Sequence, residues 1–223
     1  MRSWGNRPDT LVCDEPLYAH YLIQTRVPHP GADEVIRSQE NDWRKVVEWL
    51  TEFEPAGKAI FYQKHMTHHL LPGIDRSWLD RVTNAFLIRE PREVVTSFIK
   101  IAGTPKLEET GLPQQLEIFN WVRSRTGKMP PVVDSRDVLE NPKRLLQLLC
   151  NALAVDFTDT MLSWPPGPRD TDGVWARHWY DALLKSSTFQ AYKPKNEPVP
   201  EPLTGLLHEA EAIYEQLYEC RIR

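Results

Sequence analysis

Cysteine is scarce in this chain, and no stretch of it is long and apolar. Only three cysteines occur among 223 residues, at the widely spaced positions Cys13, Cys150 and Cys220. This number and spacing exclude a disulfide framework and a cysteine-rich zinc site, and they favour a reducing compartment. No apolar run approaches the roughly 18 residues that span a membrane, and the first residues do not form a signal peptide. We therefore expect a cytoplasmic protein without a membrane partner.

An excess of positive charge is also lacking. The formal net charge is −4 and the pI is about 6.0, which argues against a broad nucleic-acid-binding surface but still allows a local basic pocket for a small anion. Hydrophobic residues make up 41% of the chain, enough for a sizeable core. Because no linker or low-complexity tract divides the chain, a single domain over residues 1–223 is predicted.

Short apolar segments alternate with longer amphipathic ones. The predicted strands are 10–14, 59–63, 84–89 and 131–134; the predicted helices are 34–53, one beginning at Pro91, 112–124, 142–149 and 203–218. Strands that are apolar on both faces and separated by helices are typical of parallel sheets. We therefore predict an α/β fold with three layers, in which helices cover both sides of a mostly parallel sheet.

Polar residues follow three of the predicted strands. They are Asp14-Glu15, Lys64-His65 and Arg89. Ligands of open α/β sheets bind beyond the carboxyl ends of the strands, which makes these residues candidates for a site. The alternative is that strands simply end at the surface, where polar residues are common.

The segment from Arg89 to Ser97 suits an anion. Arg89 leaves an apolar strand, Pro91 begins a helix, and Ser97 lies in its second turn. A guanidinium group binds phosphate through paired hydrogen bonds, and the first turn of a helix offers backbone N–H groups. The alternative is an ordinary amphipathic helix with solvated charges.

Three histidines lie within five residues, at His65, His68 and His69. Imidazoles bind metals, but no helical His-Glu-x-x-His pattern or neighbouring carboxylate ligand accompanies them. We therefore expect no metal, and favour a polar loop with one histidine in an active site.

These segments together resemble the sulfotransferases that use 3′-phosphoadenosine 5′-phosphosulfate. Arg89-Glu90-Pro91 followed by Ser97 is similar to their 3′-phosphate-binding motif, in which Asn or Asp is commoner at the position of Glu90. The resemblance implies a P-loop nucleotide-hydrolase-like fold, the nucleotide as co-substrate, and Arg89 and Ser97 as the residues that hold its 3′-phosphate.

The resemblance also implies catalytic residues. Glu15-Pro16-Leu17 is similar to the Glu-Pro-Leu segment of carbohydrate-type sulfotransferases, which would make Glu15 the base. Residues 61–72 resemble the strand and loop that carry Lys-Thr-His and Leu-Leu-Pro in cytosolic members, with a spacing one residue shorter. This implies Lys64 as the cation for the sulfuryl oxygens and leaves His65 as an alternative base.

The aromatic and proline-rich residues 164–180 resemble the late loop that closes over the nucleotide. The resemblance implies phosphate contacts from Arg169 and Arg177, while a packed Trp-Pro corner is the alternative. Over residues 1 to about 189 the chain is most similar to bacterial sulfotransferases and to a domain of plant aminotransferase-like proteins.

One part of the family pattern is not found. The strand and phosphate loop that begin the sulfotransferase fold have no counterpart, and neither Gly-x4-Gly-Lys-[Ser/Thr] nor Gly-x-Gly-x-x-Gly occurs. We therefore expect the first strand to be missing and the reading frame to continue upstream of Met1 by roughly 15–20 residues, enough for one strand, a loop and a helical turn or two.

The implied reaction is transfer of a sulfuryl group to a hydroxyl or amine of a small acceptor, in a chain whose activity the missing loop puts in question. Two alternatives remain open. One is a non-catalytic nucleotide-binding or interaction protein on the same scaffold. The other is a small kinase-like phosphotransferase, which the absent phosphate-binding pattern argues against. The sequence leaves the acceptor and the oligomeric state open.

Overall fold

Four short strands pair in parallel, two by two. In the computed structural model, which describes residues 1–223, β1 (Thr10–Asp14) pairs with β2 (Ile60–Lys64), and β3 (Phe86–Ile88) pairs with β4 (Val132–Asp134). Helices form the crossovers that parallel neighbours need. The α/β class with parallel strands is confirmed. The strands form two separate two-stranded sheets, however, whereas the sequence suggested one.

Ten α-helices accompany the strands. They are α1 (Tyr18–Thr25), α2 (Ala32–Ser38), α3 (Trp43–Glu52), α4 (Pro91–Ala102), α5 (Leu112–Thr126), α6 (Ser135–Glu140), α7 (Pro142–Ala152), α8 (Ala176–Trp179), α9 (Asp181–Leu184) and α10 (Thr204–Glu219). Short 3-10 helices cover Trp4–Asn6, Thr67–His69, Ser77–Arg81, Leu107–Thr110, Asp159–Leu162 and Glu201–Leu203.

The predicted helix 34–53 is wrong as a single element, because it is broken between α2 and α3. Gln39 adopts an extended backbone there, and its side-chain amide accepts a hydrogen bond from the Ala19 N–H and donates one to the Glu15 carbonyl, both at 3.0 Å. The Asp42 carboxylate then accepts from the Arg44 N–H and caps α3. The break therefore ties this segment to the end of β1.

The first of two units comprises Met1–Trp78 and Thr158–Phe189. It contains β1, β2, α1–α3, α8 and α9. Its hydrophobic cluster includes Tyr18, Tyr21, Val35 and Trp175, which are at most 4% exposed. The late segment 158–189 therefore contributes Trp175 to this unit's core.

The second unit comprises Leu79–Phe157 and Gln190–Arg223. It contains β3, β4, α4–α7 and α10, and α10 contacts both α4 and α5. The chain after α10 returns to β4, where the Ile222 N–H donates to the Val132 carbonyl at 2.9 Å. The expectations of a single domain over residues 1–223 and of a missing first strand stay predictions.

Candidate active site

The carboxyl end of β1 places two carboxylates beside a lysine. Asp14 is in register with Lys64 of β2, and the Glu15 N–H extends the pairing by donating to the Lys64 carbonyl at 2.8 Å. Glu15 has a φ of +45°, a left-handed conformation that costs a residue with a Cβ atom about 1–2 kcal/mol. The Gln39 side chain binds the Glu15 carbonyl and holds this turn in place.

Side-chain oxygen atoms of three residues surround the Lys64 ammonium group. It donates to the Glu15 carboxylate and to the Tyr180 hydroxyl, the latter at 3.0 Å, and lies 3.5 Å from the Asp14 carboxylate. The Tyr180 hydroxyl in turn donates to Asp14 at 2.8 Å and lies 3.1 Å from Glu15. The strands and the late segment thus meet in one network of four side chains, which we call the Glu15 cluster: Asp14, Glu15, Lys64 and Tyr180.

Burial and charge shift the titration of this cluster. Burial raises the pKa of Asp14, and this effect outweighs the opposing effect of the Lys64 charge. Burial works against the charged form of Lys64, but Glu15, Tyr180 and Asp14 outweigh it, and the net effect is a raised pKa. Lys64 therefore stays a cation at neutral pH and can stabilise an anionic group.

The structure brings His69, and not His65, to Glu15. The Nδ1 atom of His69 lies 4.0 Å from the Glu15 carboxylate, and the ring of His69 stacks on Tyr18 with centroids 4.5 Å apart. His65 instead contacts the Gln63 side chain at 3.4 Å and lies beside the Trp78 ring. The choice of Glu15 or His65 as base stays a prediction, and the geometry adds His69 as the imidazole nearest to Glu15.

Buried histidines make the fold sensitive to acid. Burial lowers the pKa of His68 to about 3 and lowers that of His69 well below its ordinary value. Below about pH 6.5 these histidines take up protons in the unfolded chain but stay neutral in the folded protein. The free energy of unfolding therefore falls as pH falls. We expect His68 to cost about 2 kcal/mol of stability at pH 5 relative to pH 7, and His69 to act in the same direction.

Urea unfolding of wild type and His69→Gln at both pH values measures this effect. The raised pKa of Asp14 acts in the opposite direction, so the difference between wild type and variant isolates the histidine. His69→Gln should flatten the dependence on pH, and His208→Gln, an exposed histidine, should leave it unchanged. Equal pH dependence in wild type and His69→Gln would show that His69 is not held neutral.

The second unit carries the predicted phosphate-binding residues. Arg89 follows β3, and its Nε and Nη2 atoms donate to the Glu93 carboxylate at 3.1 and 2.9 Å. Glu93 and Ser97 lie four residues apart and so share one face of α4. The Tyr192 hydroxyl donates to the other oxygen of Glu93 at 3.1 Å. Glu93 therefore fixes Arg89 near the start of α4 through its Nε and Nη2 atoms.

The two late arginines have other partners. Arg169 donates weakly to the Arg2 carbonyl at 3.5 Å, and burial and the charge of Arg2 lower its pKa. Arg177 is exposed and forms an ion pair with Glu34 of α2. Neither contacts the Glu15 cluster, and their predicted roles stay predictions.

Sequence reasoning missed Tyr180 and Gln39. Both act through side-chain contacts with residues far along the chain; Gln39 stands in no motif, and Tyr180 was noted only as the last residue of the aromatic segment 164–180. Asp14, by contrast, was a candidate because it ends a predicted strand. The parallel register of β1 and β2 brings their carboxyl ends to one edge and so places Asp14 beside Lys64.

Two further observations concern metals and membranes. Nowhere do three His, Cys, Asp or Glu side chains come close enough together to hold a metal ion. None of the helices combines the length and the hydropathy that crossing a membrane requires.

Comparison with known proteins identifies relatives over nearly the whole chain. Residues 1–219 match the family model described as the sulfotransferase domain. Two Arabidopsis thaliana proteins named branched-chain-amino-acid aminotransferase-like protein 2 and protein 1 are 33% and 34% identical to 100% and 96% of the chain. The matched regions make up only 39% and 38% of those proteins, so the chain spans about two fifths of their length.

A solved structure is also similar. The sulfotransferase domain from the curacin biosynthetic pathway aligns with 91% of this chain and 78% of its own, at 18% identity and a TM-score of 0.48. The family match covers both the Glu15 cluster and the segment from Arg89 to Ser97, and it confirms the resemblance inferred from their motifs. The chain belongs to the sulfotransferase-domain family.

Proposed function

We propose that this protein transfers a sulfuryl group from 3′-phosphoadenosine 5′-phosphosulfate to a hydroxyl or amine of a small acceptor. The observation that carries the proposal is the Lys64 ammonium held against Glu15 at the carboxyl ends of β1 and β2. A base and a cation in contact are what in-line transfer to a hydroxyl needs. Membership of the sulfotransferase-domain family is the basis for proposing this class of donor.

In the proposed reaction the acceptor oxygen attacks sulfur and gives its proton to Glu15. The new bond joins the acceptor oxygen to sulfur, and the bond between sulfur and the 5′-phosphate oxygen breaks. Its electron pair stays on the phosphate, so adenosine 3′,5′-bisphosphate leaves. Lys64 offsets the negative charge on the sulfuryl oxygens, and its movement towards them releases Glu15 to act as base.

Residues of the second unit fit the nucleotide. The Nη1 atom of Arg89 and the Ser97 hydroxyl are hydrogen-bond donors that no protein group engages, and α4 begins with Pro91 after the Glu90 N-cap. Such groups suit a phosphate. We assign the 3′-phosphate to Arg89 and Ser97, and we retain Arg169 and Arg177 as proposed contacts of the nucleotide.

A second candidate is a non-catalytic nucleotide-binding or interaction protein. One observation favours it: Glu15 is only 7% exposed and is already paired with Lys64, so the cluster is satisfied without a substrate. Binding without turnover is the result that this candidate predicts.

Formation of adenosine 3′,5′-bisphosphate separates these functions. The full-length protein is incubated with the sulfuryl donor and pools of small hydroxyl and amine acceptors, or with ATP and the same pools. We expect adenosine 3′,5′-bisphosphate to form from the sulfuryl donor only when an acceptor is present, and we expect no turnover of ATP. Turnover of ATP alone would indicate a phosphotransferase, and binding of the nucleotide without turnover would indicate the non-catalytic protein.

A further inference from the structure

The Tyr180 hydroxyl is the one uncharged polar group in the Glu15 cluster. It lies 2.8 Å from Asp14, 3.0 Å from Lys64 and 3.1 Å from Glu15. A phenol carries one proton and therefore donates to one carboxylate at a time. The contact with Asp14 is the shortest, so the Tyr180 hydroxyl donates its hydrogen bond to the Asp14 carboxylate, while its oxygen accepts one from Lys64.

Asp14 depends on this hydrogen bond. Its side chain is 1% exposed, and apart from Tyr180 its nearest donor is the Lys64 ammonium at 3.5 Å. A buried carboxylate without a donor is costly, so in the absence of the Tyr180 hydroxyl Lys64 would be drawn towards Asp14. With Tyr180 in place, Asp14 is satisfied and Lys64 pairs with Glu15.

The segment before Tyr180 holds the phenol in position. Trp175 is 2% exposed in the core cluster of the first unit, and the Tyr180 N–H donates to the Ala176 carbonyl at 2.8 Å. Gly173 admits the Trp175 ring, since a Cβ atom there would lie 2.1 Å from it. A rigid support of this kind keeps the geometry of a site from drifting.

We propose that Tyr180 is a positioning residue that directs Lys64 to Glu15 by satisfying Asp14. This inference rests on the proposed sulfuryl transfer and adds to it a role for the late segment. Tyr180 contacts the catalytic groups and needs no contact with the substrate.

Tyr180→Phe in the full-length protein tests the inference. We expect kcat to fall about 10- to 150-fold, the factor that a hydrogen bond to a charged group is worth, with the affinity for adenosine 3′,5′-bisphosphate unchanged. Tyr214→Phe is the matched control, because it removes a 2.8 Å tyrosine–aspartate hydrogen bond, to Asp134, in the second unit. The control should keep kcat within about twofold.

A second measurement does not require activity. A crystal structure of Tyr180→Phe should show the Lys64 ammonium within hydrogen-bond distance of the Asp14 carboxylate and away from Glu15, because Asp14 has lost the hydrogen bond from Tyr180. Wild type, in which Lys64 donates to Glu15, is the reference. Tyr214→Phe should leave Lys64 on Glu15.

The two measurements separate this inference from the proposed function. A Lys64 ammonium that stays on Glu15 in Tyr180→Phe overturns the role of Tyr180 whether or not the protein transfers sulfate. A displaced Lys64 with wild-type kcat shows that the position of Lys64 does not matter for the reaction, and it also overturns the inference. Absence of sulfuryl transfer in wild type contradicts the proposed function, and with it any positioning role in that reaction.

Discussion

Glu15→Gln is expected to lower turnover by about 10²–10⁴-fold, the range for loss of a general base. The amide keeps the size of the side chain and can still bind Lys64, but it cannot take the acceptor proton. Binding of the donor nucleotide should stay intact, since Arg89 and Ser97 are unchanged. Steady-state turnover together with calorimetric binding of adenosine 3′,5′-bisphosphate measures both effects.

Two comparisons make this result specific. Glu48→Gln changes an exposed glutamate of α3 in the same unit and should retain wild-type turnover. His65→Gln tests the alternative base directly. If Glu15→Gln and His65→Gln both keep near-normal turnover, the base lies elsewhere, and His69 becomes the next residue to replace.

Arg89→Ala is expected to remove most of the preference for adenosine 3′,5′-bisphosphate over adenosine 5′-monophosphate. A charge-assisted contact of this kind is worth about 1.5–3 kcal/mol, which corresponds to a loss of about 10- to 150-fold in relative affinity. Affinity for the monophosphate should change little, because that ligand lacks the 3′-phosphate. Titration calorimetry with both nucleotides gives the ratio.

Arg125→Ala provides the control for this substitution. Arg125 lies in the same unit and is paired with the Asp80 carboxylate at 3.0 Å, so its loss also breaks an arginine–carboxylate contact. Its removal should leave the nucleotide preference intact. An equal loss of preference in both variants would mean that general destabilisation, and not the 3′-phosphate contact, explains the result for Arg89.

Local patterns in the sequence were sufficient for most elements. Pro91 begins α4 as predicted, Asn141 caps α7, and β1 occupies its predicted residues, because proline at the first turn, a capping side chain and an apolar strand are signals within a few residues. The break at Gln39 was not predictable in this way, since it depends on hydrogen bonds to Ala19 and Glu15.

The candidate site shows the same limit. The motifs located Glu15 and Lys64, and the register of two parallel strands brings them together. They did not indicate that Tyr180 joins the cluster or that His69 lies nearer to Glu15 than His65 does. Both facts depend on how α8 and the 3-10 turn at Thr67–His69 pack in the core of the first unit, and a spacing pattern carries no such information.

The most direct test of the account is the affinity of the wild-type full-length protein for the two adenosine nucleotides. Sulfuryl transfer from the proposed donor requires recognition of the 3′-phosphate, and this recognition does not depend on knowing the acceptor. Titration calorimetry should show adenosine 3′,5′-bisphosphate binding at least about tenfold more tightly than adenosine 5′-monophosphate, a difference of about 1.4 kcal/mol. Equal affinities for the two nucleotides would contradict the account.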